Sequence, residues 1–379
     1  MGVDYVRPQL TSTASQTHFV RASKYLEQVP GAGEWFAPRP DMSMLVVDPK
    51  PDVRATELVA PLPDGYGDLP APAPTLIVRC EGGAVVADGG YVFARGGELL
   101  RESLPRREWL TGMDPLWADV QRELAGTTSP SGSTAPLMNI RSANYFHWWV
   151  DSVARGWLLE EWLGADRPPL ALPGAISPMQ SESLELLGLD ELHVLSKPIE
   201  RFREVVFTSG LAYGAAQAVS PLIGRFGEWC RARLGLEAGP EPRERLWVSR
   251  GGARDRRLLN EDEVVSFLEG YGIRPVDPGA LEVSEQARLF ARAELVIGGH
   301  GAGLTNILFC APGSVVLELF AEGVQHASCY QAMCRGLALP YGSATGVAES
   351  APGPREDFTV PLEALGAIVE AGLKRLRGR

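Results

Sequence analysis

From residue 136 onward, short apolar runs alternate with longer segments in which apolar residues recur every three or four positions. These are the periods of buried strands and amphipathic helices. In the first half they predict a strand over Leu137–Ile140, a long helix over Asn144–Leu163 and a strand over Leu170–Leu172. A helix over Pro178–Leu187, strands over His193–Leu195 and Val205–Thr208, and a helix over Pro221–Leu234 follow. Glu237–Arg243, with two prolines and a glycine, reads as a linker. The alternation then restarts with a strand over Leu246–Ser249, a helix over Asn260–Tyr271 (Asn260 and Glu263 as a capping pair) and a strand over Ile273–Val276. It continues through a helix over Ser284–Ala293, a strand over Leu295–Ile297, a short helix over Gly303–Phe309 and a strand over Val315–Leu319. A last helix, Leu362–Leu376, is expected to pack across both halves. Such alternation implies parallel sheets covered on both faces, hence an α/β chain of two Rossmann-like domains facing a cleft.

The first ~75 residues lack periodicity and are rich in proline and glycine, so irregular structure is expected there. Short strands are predicted over Thr75–Arg79, Gly83–Ala87 and Tyr91–Ala94, then a helix over Pro115–Leu124 and a polar loop over Gly126–Thr134. The expected organisation is an N-terminal domain over residues 1–236, of which 1–130 are irregular and β-rich and 136–235 Rossmann-like. A C-terminal domain spans 244–350, and 351–379 form a tail and helix.

Composition narrows the partners. At 379 residues the chain exceeds what one core usually serves, and 45% apolar with 22% charged residues is globular composition. A net charge of −11 argues against a nucleic-acid binder. No apolar run reaches the ~18–20 residues of a membrane span, and the N-terminus lacks the pattern of a secretory signal. Five scattered cysteines make no disulfide framework, so a reduced, cytoplasmic protein is expected, with at most peripheral membrane association. All but four of the 36 basic residues are arginine, which leaves arginine as the main anion-binding side chain.

Three segments carry candidate chemistry. On the helix after Asn144, the polar residues Asn144, His147, Asp151 and Arg155 are spaced by three, four and four, which at 100° per residue is one stripe opposite an apolar arc. His147 and Asp151 are one turn apart, and a carboxylate beside an imidazole raises its basicity, as a general base for a hydroxyl requires. Either His147, oriented by Asp151, or Asp151 itself is a candidate base. The tryptophans read mostly as core, with Trp148 and Trp149 beside His147 also able to stack on a sugar, and Asn144, Trp148 and Arg155 are the candidates to face a substrate from this helix. Second, Arg243–Arg257 holds six arginines and two acids between a strand and a helix, where open α/β sheets bind ligands. Ser249, Arg250, Arg256 and Arg257 are its candidate anion ligands. Third, Leu295–Asn306 runs from a strand through Gly299, His300, Gly301, Ala302 and Gly303 into a helix start over Leu304, Thr305 and Asn306, a geometry suited to phosphate. Glu318 follows as an acid able to bind ribose hydroxyls. His326, Cys329 and Cys334 match no zinc spacing, and the chain has no Asp-x-Asp to hold a metal on a diphosphate.

Together these segments resemble glycosyltransferase family 61, whose bacterial members are often labelled capsular polysaccharide biosynthesis proteins. The resemblance rests on Asn144-Tyr-Phe-His147-Trp-Trp-Val-Asp151, on Ser249-Arg250 followed by Arg256-Arg257-Leu-Leu-Asn-Glu261, and on Gly299-His-Gly-Ala-Gly-Leu-Thr-Asn306 with Pro312-Gly-Ser-Val-Val-Leu-Glu318. It covers roughly residues 136–345. It implies a GT-B architecture and a nucleoside-diphosphate sugar, UDP-linked, held mainly by the C-terminal domain. It further implies inverting transfer to a saccharide or lipid-linked glycan, with no essential metal. Gly251-Gly252-Ala253 departs from the family where a further basic or polar residue is common, which leaves the number of phosphate-binding arginines open. An epimerase acting on the donor alone and an inactive assembly protein are the competing expectations.

Overall fold

The computed structural model describes residues 19–20, 35–47, 57–59, 75–86, 89–103, 114–127, 129–213, 218–236, 244–250, 252–322, 329–350 and 355–378. The expected linker at Glu237–Arg243, with His18 and His326, lies outside the described residues. The first half builds one mixed sheet of eleven strands. It opens with β1 (Phe19–Val20), β2 (Trp35–Arg39) and β3 (Met42–Val46), and β2 and β3 pair as an antiparallel hairpin. Residues 35–46 are therefore sheet rather than irregular. Met42, Met44 and Val46 alternate onto a buried face, a period-two pattern too short to stand out among prolines. Next come β4 (Leu76–Glu81), β5 (Ala84–Val86), β6 (Tyr91–Phe93), β7 (Leu99–Leu100) and helix α1 (Asp114–Leu124).

Strand β8 covers Ser131–Pro136, beginning inside the expected loop and running past its end, and Leu137–Ile140 lies beyond it. Its ladder partners decide this, since Ser131, Ser133 and Thr134 register in parallel with Phe202, Glu204 and Val205 despite their polarity. The long helix forms as expected, but in three pieces. They are α2 (Tyr145–His147), a π-helical stretch over Trp148–Val153, and α3 (Ala154–Leu163). Then come β9 (Leu170–Leu172), α4 (Pro178–Leu186), β10 (Leu192–Val194) and β11 (Ile199–Thr208). Strands β11, β8, β9 and β10 are parallel neighbours, and β11 also pairs antiparallel with β4 and β5. The parallel part of this half is thus fused to an antiparallel layer instead of closing as its own sheet. The small hairpin β12 (Ala212–Tyr213) and β13 (Ala218–Val219) leads into α5 (Ile223–Arg233).

The second half follows the predicted alternation closely. It contains β14 (Glu244–Val248), α6 (Glu261–Glu269), β15 (Arg274–Val276), α7 (Val283–Ala291), β16 (Ala293–Gly299), a 3-10 helix (Ala302–Phe309) and β17 (Val315–Ala321). It ends with α8 (Cys329–Gly336), β18 (Tyr341–Ala348), β19 (Phe358–Thr359) and α9 (Leu362–Arg377). The sheet order is β15-β14-β16-β17-β18-β19, with all but β19 parallel. Side chains alternate across it. Trp247, Leu295, Ile297 and Leu317 face α6 and α9, whereas Leu246, Val248, Val296 and Val316 face α7, the 3-10 helix and α8.

Two expectations change here. Asn260 does not cap α6 with its side chain. Its Nδ2 donates to the Val360 carbonyl and its Oδ1 accepts from the Val360 amide, a clamp on the chain after β19 that no local pattern reveals. Helix α9 lies against β16, β17 and β18 rather than across both halves, because its apolar face completes the C-terminal core. It touches the first half through the Arg375–Glu57 ion pair, beside a short parallel bridge of Leu58 to Tyr341.

The halves share one core. Trp148, Trp149, Trp157 and Val150 belong to the same apolar cluster as Leu304, Ile307, Phe309 and Met333. Trp149 meets Phe309 edge-on at 5.0 Å between ring centroids. Helices α5 and α8 touch through glycines: a Cβ on Gly224 would strike the Gly336 carbonyl, and one on Gly336 would strike Ile223 and lie 3.3 Å from the Pro221 carbonyl. Tyr145 adds a polar tie, its hydroxyl donating to Asn306 Oδ1 at 2.8 Å. Tyr145→Phe is expected to destabilise the fold by about 1–3 kcal/mol, because it strands the Asn306 carbonyl oxygen in a buried site. Denaturant unfolding read by tryptophan fluorescence checks this, and an unchanged midpoint would count against the tie.

Candidate active site

In chain order the parallel strands of the C-terminal sheet are arranged 2-1-3-4-5, so connections leave β14 in one direction and β16 in the other. Ligands of such sheets bind outside the carboxyl ends of the two strands flanking that reversal. Here those ends carry Ser249-Arg250 and Gly299-His300-Gly301, two of the three segments singled out from sequence.

They are in contact. The Arg250 side chain lies across the glycine turn: a Cβ on Gly299 would sit 3.0 Å from Arg250 Cδ, and one on Gly301 would fall onto Arg250 Nη1 and 2.6 Å from Cζ. Gly301 has an extended backbone, so its lack of a side chain serves this approach and not an unusual φ. Arg250 Nε and Nη2 donate to the carbonyls of Arg256 and Asp255 at 3.2 and 2.8 Å. Burial, aided by the Arg256 charge, pulls the guanidinium below its ordinary pKa. A desolvated cation held by carbonyls favours an incoming anion. Arg256 itself adopts a left-handed backbone, φ 58°, and its Nε is buried with no hydrogen-bond partner among the described residues. Arg257 is different. It is exposed, and Asp357 takes its Nε and Nη2, so it faces a carboxylate instead of the turn. Ser249 continues β14, its amide donating to the Val276 carbonyl.

Beyond the turn, the side chains of Leu304, Thr305 and Asn306 are buried and structural. Leu304 packs in the core, Thr305 Oγ1 meets the Tyr330 hydroxyl, and Asn306 Nδ2 donates to Gln286 and to the Gly303 carbonyl. What this segment offers a ligand is backbone: the first N–H groups of the 3-10 helix, at Ala302 and Gly303. Glu318 also departs from expectation. It sits within β17, 0% exposed, with Oε1 2.6 Å from His300 Nδ1 and Oε2 accepting from the Tyr341 hydroxyl at 2.7 Å. With both oxygens occupied it cannot hold a ribose. It fixes the His300 ring through Nδ1 and does not engage Nε2.

The long helix supplies a second histidine–carboxylate pair. Asn144 caps α2, its side chain accepting from the Phe146 and His147 amides, a structural duty and not an acceptor contact. His147 Nδ1 lies 2.9 Å from Asp151 Oδ2, as the spacing predicts. Asp151 is only 2% exposed. Burial pushes its carboxyl up, but the His147 hydrogen bond and the charges of Arg141, His147 and Arg155 together hold it below its usual value. Arg155 stands behind it in the core and not in a cleft, its guanidinium 5.0 Å from the centroid of the Phe207 ring and pushed down to about 10 by burial. The intervening π turn breaks the even 100° stripe that put Arg155 in line with His147. Trp148 and Trp149 are 0% exposed, and Trp148 Nε1 donates to Ser183, so neither ring has a face for a sugar.

Tyr330 connects the two histidines. Its ring meets Phe146 at 5.7 Å and His300 at 5.4 Å, Phe146 in turn meets His147 at 5.1 Å, and its hydroxyl donates to the Gly301 carbonyl at 2.7 Å. Sequence reasoning missed Tyr330, Arg141 and Tyr341, which lie outside the recognisable segments. Among the described residues no three of His, Cys, Asp and Glu are grouped to hold a metal, and no helix is long and apolar enough to cross a membrane.

The family profile described as Glycosyltransferase 61 matches residues 145–317. The chain is covered by that match over just under half of its length. Over 121 residues it is 30% identical to an EGF domain-specific O-linked N-acetylglucosamine transferase of Drosophila melanogaster, covering 31% of this chain and 23% of that protein. The Gallus gallus protein of the same name is 35% identical over 91 residues, 23% of this chain and 17% of its own length. A Beta-1,2-xylosyltransferase of Arabidopsis thaliana is 31% identical over 88 residues, 20% and 16% respectively. The chain therefore spans less than a quarter of each of these relatives. The matched stretch opens at the first residue of α2 and includes His147, Asp151, Arg250 and His300. Arg141, Glu318, Tyr330 and Tyr341, which brace these groups, fall outside it.

Proposed function

We propose that the chain is an inverting, metal-independent glycosyltransferase that moves a sugar from a nucleoside diphosphate, UDP in our reading, to a saccharide hydroxyl. The observation that carries this is the meeting of Arg250 with the Gly299–Gly303 turn at the strand reversal, joined through Tyr330 and Phe146 to His147. Arg250, Arg256 and the amides of Ala302 and Gly303 receive the diphosphate, with His300 Nε2 beside it. Fixed positive groups aimed at the leaving phosphate stabilise the charge that develops there. His147 is the base. Asp151, buried and hydrogen-bonded to His147 and Arg141, cannot reach an acceptor, so its role is to hold Nδ1–H and leave Nε2 free to take the hydroxyl proton. The deprotonated oxygen attacks the anomeric carbon as the bond to the diphosphate breaks, inverting that centre.

A GT-B arrangement is our reading of the architecture, with residues 1–236 on the acceptor side, 244–350 on the donor side and 351–379 completing the latter. The doubly wound order of the second sheet supports the donor assignment. The acceptor we assign is a glycan of surface-polysaccharide synthesis, free or lipid-linked; the animal and plant relatives support transfer and not that setting. The test is incubation with a panel of nucleotide sugars and saccharides, following nucleotide release with and without chelator. Release that depends on an acceptor and survives chelation is expected. Conversion of the donor without acceptor would replace the reading by an epimerase. Loss on chelation with rescue by manganese would overturn metal independence, and absence of nucleotide binding would leave an inactive assembly protein.

A further inference from the structure

Both histidines have Nδ1 on a buried carboxylate, yet the two carboxylates are wired differently. The second oxygen of Glu318 takes a neutral phenol hydroxyl from Tyr341. Asp151 instead shares the oxygen that anchors His147: Oδ2 is 2.9 Å from His147 Nδ1 and 3.1 Å from Arg141 Nη2. Arg141 stands in the turn before α2, held there as its amide donates to Asn139 Oδ1 and the neighbouring Ser142 hydroxyl bonds Ser152. Its side chain and that of Asp151 are 15% and 3% exposed, so water screens the pair poorly.

We propose that Arg141 is a positioning residue that keeps His147 neutral, by drawing on the Asp151 oxygen that would otherwise favour the imidazolium. The inference rests on the reading of His147 as the base. A carboxylate alone within hydrogen-bond reach stabilises the charged ring; a guanidinium on the same oxygen cancels much of that attraction and repels the imidazolium directly. The other groups near His147 do not reverse the sign. Arg155 lies behind Asp151 and adds positive charge, Tyr330 is a phenol beyond the Phe146 ring, and His300 lies beyond Tyr330. A base that is to accept a proton near neutral pH must not already carry one, and Arg141 supplies that condition from outside the family segment.

Because the acceptor is unidentified, the probe is the proton itself. The His147 ring signals are titrated by NMR in the full chain, assigned by loss in His147→Gln, for the unsubstituted protein, Arg141→Gln and Arg141→Lys. The midpoint is expected to rise by about one pH unit in Arg141→Gln. It is expected to stay near the unsubstituted value in Arg141→Lys, which keeps the charge. An unmoved or lowered midpoint in Arg141→Gln overturns the proposal. If that variant does not fold, Arg141→Lys decides: a midpoint near the unsubstituted value supports the charge effect, and a raised one overturns it. Failure of both variants to fold makes Arg141 a structural strut and also overturns it. A shifted midpoint in a chain with no transferase activity would remove the functional reading and leave the coupling standing.

Discussion

His147→Ala is expected to lower turnover about 10²- to 10⁴-fold, the usual range for a lost general base, with nucleotide affinity and melting temperature unchanged. The ring is partly exposed, and its hydrogen bond goes to Asp151, which keeps Arg141 as a partner when the imidazole is gone. Nothing buried is left without its counter-charge. Asp151→Asn should behave otherwise. It also slows turnover, since the His147 tautomer is no longer held, but it leaves Arg141 and Arg155 facing a neutral group in a desolvated place. Breaking a buried pair from one side costs about 3–5 kcal/mol, so this variant should melt well below the parent. Turnover, calorimetric UDP affinity and thermal unfolding on both variants separate the roles. Full turnover in His147→Ala with unchanged melting would remove the helix from the active site.

Gly301→Ala is expected to act as a substitution of Arg250. The new methyl occupies the place of Nη1, and because φ at 301 is 176° the backbone accepts alanine without strain, so the fold survives while the guanidinium is displaced. The loss should approach that of Arg250→Ala, about 10²- to 10³-fold in kcat/KM, the size seen when one donor to a developing anion is removed. Combining the two should add little, since both remove the same contact. Arg257→Ala, already committed to Asp357, is the control and should leave UDP affinity unchanged. Calorimetry with UDP and steady-state kinetics check the set; additive losses in the double variant would show that turn and arginine act separately.

What was legible in the sequence was local. The His147–Asp151 contact follows from four-residue spacing on a helix, and the alternation of the second half from periods that each element carries within itself. What was not legible depended on partners far along the chain. Trp148 reads mostly as core but also as a stacking platform beside His147, and only its full burial against partners such as Ser183, 35 residues on, decides it. Asn260 looks like a cap until Val360 takes both ends of its amide, and Glu318 looks like a ribose ligand until Tyr341 takes its second oxygen. Arg155 misled for a different reason: the stripe assumed a uniform helix, and the π turn spends one extra residue before α3 begins.

The glycine contact between α5 and α8 and the aromatic core beneath it bear on how this molecule can be re-engineered. Exchanging donor halves between enzymes is attractive where two lobes meet only through a hinge, because either lobe then keeps its own interior. Here a cut near residue 240 would leave Trp149 and Phe309 on different pieces, each carrying half of one interior and one half of a glycine-to-glycine junction. A transplanted second half would need α8 and the 3-10 helix matched to the recipient's α5 and π-helical segment before any question of substrate preference arose. On the proposed function, donor specificity is therefore more accessible to point changes around the glycine turn than to shuffling of lobes.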